Sequence, residues 1–107
     1  MTCRYIALLS IILSAGISHA GDLESDVKSM CAEQWGSDYS MQQFCRDKQF
    51  KAAGKLNDLM KANQGNQVFD GILSDCYRNW LDAKGRADYG MIVFCTEKQI
   101  NAYRSLH

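Results

Sequence analysis

The side chains with chemistry to offer come in matched pairs: Cys31 and Cys76, Trp35 and Trp80, Asp38 and Asp88, Tyr39 and Tyr89, Cys45 and Cys95. Four thiolates can hold a metal, two thiols can cycle as a redox couple, and two carboxylates can divide acid and base work. The spacing disfavours the first two, because thiolate zinc sites and redox couples both use close Cys-x-x-Cys pairs and none occurs here. Two structural disulfides are the expected use of four cysteines, and four cysteines permit three pairings. The carboxylate reading competes with a plainer one, in which Asp38 and Asp88 stand at helix starts and accept from the first free amides. Such a cap contributes about 1 kcal/mol. Histidine adds little: His19 stands in the N-terminal stretch and His107 is the last residue. Neither a triad nor His-ligated zinc is expected, and no glycine-rich phosphate loop is present. The expectation is a protein that is not an enzyme and uses no metal or cofactor.

The pairs belong to one unit written twice. Asp38-Tyr39-Ser40-Met41-Gln42-Gln43-Phe44-Cys45-Arg46-Asp47-Lys48-Gln49 returns as Asp88-Tyr89-Gly90-Met91-Ile92-Val93-Phe94-Cys95-Thr96-Glu97-Lys98-Gln99, with seven identical positions. Duplication chooses among the pairings: a unit that once stood alone must have paired internally, so Cys31–Cys45 and Cys76–Cys95 are expected. Loop entropy does not choose, since lengthening a closed loop from about 15 to about 45 residues adds only about 1 kcal/mol. Trp35 and Trp80 stand one helical turn after a cysteine. They are either ligand platforms or, as large aromatics at helical spacing usually are, packed, here over a disulfide. Tyr39 and Tyr89 lie at turns, where a phenol packs and still reaches water. With Asp38, Asp88, Trp35 and Trp80 they are the candidate contacts for a partner. Gln49 and Gln99, four residues after a cysteine, are expected to point inward and bond across a hairpin; Lys48 and Lys98 are expected to be solvated.

Four helices would position these residues. Leu23, Val27, Cys31 and Trp35 make the face of the first, which Gly36-Ser37 breaks. Met41, Cys45, Gln49, Ala52, Leu56 and Leu59 mark the second, which tolerates Gly54 and stops at Asn63-Gln64-Gly65-Asn66. Val68, Ile72, Cys76 and Trp80 repeat the first helix at an offset of 45. The offset then becomes 50, so five residues have entered between Trp80 and Asp88, with Lys84-Gly85-Arg86 the natural place for the helix to end. Met91, Cys95, Gln99, Ala102 and Leu106 are the expected inner face of the fourth. The third helix carries a further apolar row, Phe69, Leu73, Tyr77 and Leu81, where the first has Glu24, Lys28, Ala32 and Gly36. A wide apolar face belongs either to a central helix or to a partner surface, and central placement is expected. With no proline and no sustained strand alternation, the fold class read here is all-α: two tandem disulfide-stapled helical hairpins forming a small four-helix bundle.

Residues 1–20 read as a cleaved signal peptide: Arg4, the apolar run Tyr5 to Ile17, then Ser18-His19-Ala20 as a peptidase site. Residues 21–107 are then one domain of two repeats, 21–64 and 65–107. Cys3 leaves with the leader, so an even set of four remains, as suits a small exported chain whose core is limited. Losing Arg4 leaves eleven basic and twelve acidic side chains, which gives no support for nucleic-acid binding or for a polybasic membrane contact after cleavage.

Cys-x-x-x-Trp followed by Asp-Tyr-x-Met-x-x-Phe-Cys-x-x-x-Gln resembles a short module of small exported or envelope proteins of bacteria that has no assigned activity. Over residues 31–49 and 76–99 the resemblance implies an exported, periplasmic or secreted protein. A proline often follows the tryptophan in that module, whereas Gly36 and Leu81 stand there in this chain. More loosely, the stretch from Met41 and Cys45 to Leu56-Asn57 is similar to the disulfide-tied hairpin of the LprI-like lysozyme-inhibitor group. For want of a catalytic set, action by contact with an unidentified protein partner is expected; the second likeness implies, as an alternative, a periplasmic inhibitor of a cell-wall hydrolase.

Overall fold

A computed structural model describes residues 22–107; the expected leader, residues 1–20, lies outside them. Four helices follow one another: α1 over 22–35, α2 over Tyr39–Ala62, α3 over Gln67–Asn79 and α4 over Tyr89–Leu106. Each of the last three starts on a side-chain cap. Asp38, Asn66 and Asp88 accept from the amides of Met41, Phe69 and Met91, each at 3.1 Å. The first two turns between helices run through glycines in the left-handed region, Gly36 at φ +50° and Gly65 at φ +78°, where a side chain would be strained. Gly54 does not stop α2, which runs through it for 24 residues.

Two disulfides tie the helices in pairs. Cys31–Cys45 joins α1 to α2 and Cys76–Cys95 joins α3 to α4, each with Cα atoms 5.7 Å apart. The molecule is a disulfide-stapled, all-helical bundle of two hairpins, with the pairing that duplication implies.

The core lies where the hairpins meet. Leu56 of α2, Ala87, and Ile92 and Val93 of α4 form it, with Ala52, Leu59, Leu73 and Tyr89 packed around. Thus among α2, α3 and α4 it is α4, not α3, that touches both of the others and takes the central place. This position also rotates its buried face. Ile92, Val93 and Thr96 are buried, Met91 and Cys95 are half-buried, and Gln99, Ala102 and Leu106 are exposed. The expected Met91–Cys95–Gln99 face fails because contact with helices on two sides moves the buried sector between the two contacts. The second apolar row supplies core at its N-terminal half: Phe69 is buried and Leu73 packs on the cluster, whereas Tyr77 and Leu81 stay exposed, as does Val68 of the main stripe.

The five extra residues of the second repeat do not lengthen α3. That helix stops at Asn79, and residues 81–87 fold as a tight hairpin closed by a bridge between Leu81 and Ala87. Gly85, at φ +77°, turns this loop and does not end the helix. Asp82 Oδ1 accepts from the amides of Lys84 and Arg86, both at 2.9 Å, and so builds the turn from within.

Candidate functional site

The first turn of α4 docks on the middle of α2 through one side chain. Gln49 Oε1 accepts from the Tyr89 amide at 2.7 Å, and its Nε2 donates to Asp88 Oδ1 at 2.9 Å. Asp88 Oδ1 also receives the Met91 amide, so cap and crosslink share an oxygen. Gln49 therefore bonds across the two hairpins rather than within its own. Its repeat counterpart Gln99 is exposed, against the inward placement expected of it.

Beside this crosslink lies a groove of about 370 Å³. Its lining includes Trp35 of α1, Phe44 and Lys48 of α2, and Met91 and Phe94 of α4. Phe44 and Phe94 are each 60% exposed. Lys48 brings its Cε close to Gly90 at the start of α4. Lys98 places its ammonium 6.0 Å from the Phe94 ring centroid. The groove is open, with two exposed aromatic side chains and a lysine among its lining residues.

A charged cluster secures the other side. Arg86 Nη2 reaches Glu33 at 2.7 Å, its Nε reaches Asp82 at 2.8 Å, and its Nη1 donates to Ser29 at 2.9 Å. Lys84 adds a contact to Glu33 at 2.9 Å. The inserted loop is thereby clamped to α1. Hydrogen bonds from Arg86, then Lys84, hold the Glu33 carboxyl down to about 2. Asp82 is lowered too, chiefly by the Arg86 amide, and Arg86 is raised by its two carboxylates. These charges neutralise one another, so the cluster is a fastening.

The sequence candidates separate in space. Trp35 and Asp88 line the groove. Asp38 caps α2, and Tyr39, 77% exposed, is not among the lining residues. Trp80 caps α3 with its side chain exposed, and its carbonyl accepts from the Asp88 amide at 3.0 Å. Tyr89 is half-buried on the core. Burial first, then Tyr77 and Asp26, push its phenol up to about 12. Sequence reasoning missed Phe44 and Phe94. Both copies keep them, and both lie one residue off the inward stripe, next to a cysteine. An apolar residue kept twice on the outer face was the available signal.

Comparison with protein-family models, curated sequences and solved structures found no match to this chain. Among the described residues no helix is long and apolar enough to cross a membrane, and no cluster of His, Cys, Asp and Glu is placed to hold a metal.

Proposed function

We propose that this is a small exported helical protein that works by protein contact in the cell envelope, not by catalysis, and that its contact surface is the groove between Phe44 and Phe94. One observation carries the reading: two large aromatics at equivalent repeat positions are each 60% exposed and line the same groove. Exposed apolar residues scattered singly are ordinary, but ones gathered in a single groove mark a contact surface. The two disulfides support an oxidising setting outside the cytosol. Asp38 and Asp88 are engaged as caps, which removes the paired-carboxylate argument for hydrolysis.

Benzoyl-phenylalanine in place of Phe44 or Phe94, photolysed in intact cells, tests the surface. Both positions are expected to crosslink to the same protein, identified by mass spectrometry, while the probe at Leu106, 80% exposed, does not. A crosslink pattern common to all three positions would sink the proposal.

A further inference from the structure

Lys48 lines the groove, and Lys98 stands beside its Phe94 wall. Lys28, Lys55 and Lys84 are each in an ion pair, with Glu24, Glu97 and Glu33, whereas Lys51 and Lys61, away from the groove lining, are among the described lysines that form none. Among the described residues no ion pair is formed by Lys48 or Lys98, although each follows its phenylalanine by one helical turn. The carboxylate lining the groove belongs to Asp88, and its Oδ1 is taken by Gln49 and the Met91 amide. The positive charge at the edges therefore faces outward without a partner. The geometry is also pre-set: Gln49 fixes α4 on α2, and Cys31–Cys45 fixes α1, with Trp35, on α2. A fixed groove loses little entropy on binding.

We infer that the groove takes an acidic peptide segment with an apolar anchor: a Leu or Phe side chain seats between Phe44 and Phe94, and flanking carboxylates meet Lys48 and Lys98. This rests on the contact reading above and adds the chemistry of the partner. Charge complementarity carries it. A basic segment would bring like charge to both lysines, and a neutral one would leave them unmatched. The net charge of residues 21–107 is slightly negative, so the attraction is local to this groove.

The test uses the exported, oxidised protein and fluorescence anisotropy. One labelled octapeptide has Leu-Phe at its centre with Asp and Glu around it; the other has Lys at every acidic position. The acidic peptide is expected to bind about ten-fold tighter at low salt, as two exposed charge pairs and their reversal allow. About 0.5 M NaCl should erase most of that difference by screening. Phe44→Ser with Phe94→Ser should abolish binding while the melting temperature holds, since both rings are largely exposed. Lys48→Glu with Lys98→Glu should invert the preference toward the basic peptide. Equal binding of the two peptides, or binding of neither, overturns the inference. So does self-association that depends on Phe44 and Phe94, because a second copy would then be the occupant. If the basic peptide binds through the two rings, the contact surface stands and only the acidic partner fails. If no peptide binds and positions 44 and 94 give no crosslink, both fail.

Discussion

Thr96→Val tests the packing of the central helix directly. Thr96 is 0% exposed, and its Oγ1 has no hydrogen-bond partner. A buried hydroxyl left unpaired costs about 1–3 kcal/mol. Valine keeps the shape and exchanges that hydroxyl for a methyl. The helix propensities of threonine and valine are close, so the backbone contribution nearly cancels. The variant should therefore be more stable by about 1–2 kcal/mol, and each kcal/mol raises Tm by roughly 4–8 °C in a domain of this size. Thr96→Ser makes the opposite change: it keeps the hydroxyl and deletes the methyl, so it should lose about 1 kcal/mol.

Urea denaturation of the oxidised protein, followed by circular dichroism, measures all three at once, provided the slope of each transition stays constant. The expected order of midpoints is valine, threonine, serine. A valine variant less stable than the parent by 1 kcal/mol or so refutes the reasoning. It would mean that the hydroxyl is satisfied, by the carbonyl one turn back or by a bound water, and that the surroundings of α4 are more polar than described.

Other outcomes follow from the same contacts. Leu73→Ala should cost about 1–3 kcal/mol in urea melts, below the usual range for a fully buried leucine because Leu73 is only partly buried, while Leu106→Ala should cost almost nothing. The Glu33 carboxyl is lowered when folded, so its contribution is complete above its ordinary value near 4.5 and is lost as pH falls toward about 2. Glu33→Gln should flatten stability against pH in that window, and an unchanged acid limb would count against the Arg86 clamp. Gly90→Ala should stabilise by about 0.4–1 kcal/mol, because the new Cβ meets its nearest neighbours at 3.5–3.9 Å, ordinary contact, and the helix gains propensity. Gln42→Ile with Gln43→Val should make sedimentation concentration-dependent; a monomer at all concentrations would contradict the account of the repeat boundary below.

Much of the fold was legible because the duplication carries it. Asp38 and Asp88 begin helices for local reasons, and the pairing of Cys31 with Cys45 and Cys76 with Cys95 follows from the unit. The face of α4 was not legible. Helical period gives a stripe, but which of several apolar rows is buried depends on how many helices touch it, a long-range fact. Gln49 shows the same limit. Its inward position was readable, yet its partner in the other hairpin was not, since nothing local links Gln49 to Asp88. Tyr39 and Tyr89 both lie at turns, where a phenol packs and still reaches water, yet Tyr39 is exposed and Tyr89 packs on the core. The two differ because Tyr89 enters a helix with neighbours on both sides. The groove escaped notice because Phe44 and Phe94 lie off the core stripe, where apolar residues are easily passed over.

The inter-hairpin contact also shows how the two units have diverged. Gln49 near the middle of the first unit holds Asp88 at the start of the capped segment in the second, a head-to-tail contact. Such a contact uses different surfaces on its two sides, so it can in principle continue. Continuation would set Gln99 of one copy against Asp38 of another, and both are exposed. The residues that seal the internal contact are Ile92 and Val93, in the core with Leu56. At the equivalent places the first unit carries Gln42 and Gln43. Gln42 spends its amide on the Gly36 carbonyl, and Gln43 is exposed. A second copy docking there would have to desolvate two amides where the internal contact buries two aliphatic side chains, a penalty of at least 1 kcal/mol for each amide left unpaired. A polar face of this kind disfavours open-ended stacking of repeat units. Position 46 shows the same divergence. Arg46 stands where the second unit has Thr96, half-buried on α2 instead of sealed under two helices. The unit has thus been fitted twice to different neighbours, with its disulfide and capping aspartate kept in both copies and the residues facing the next unit changed.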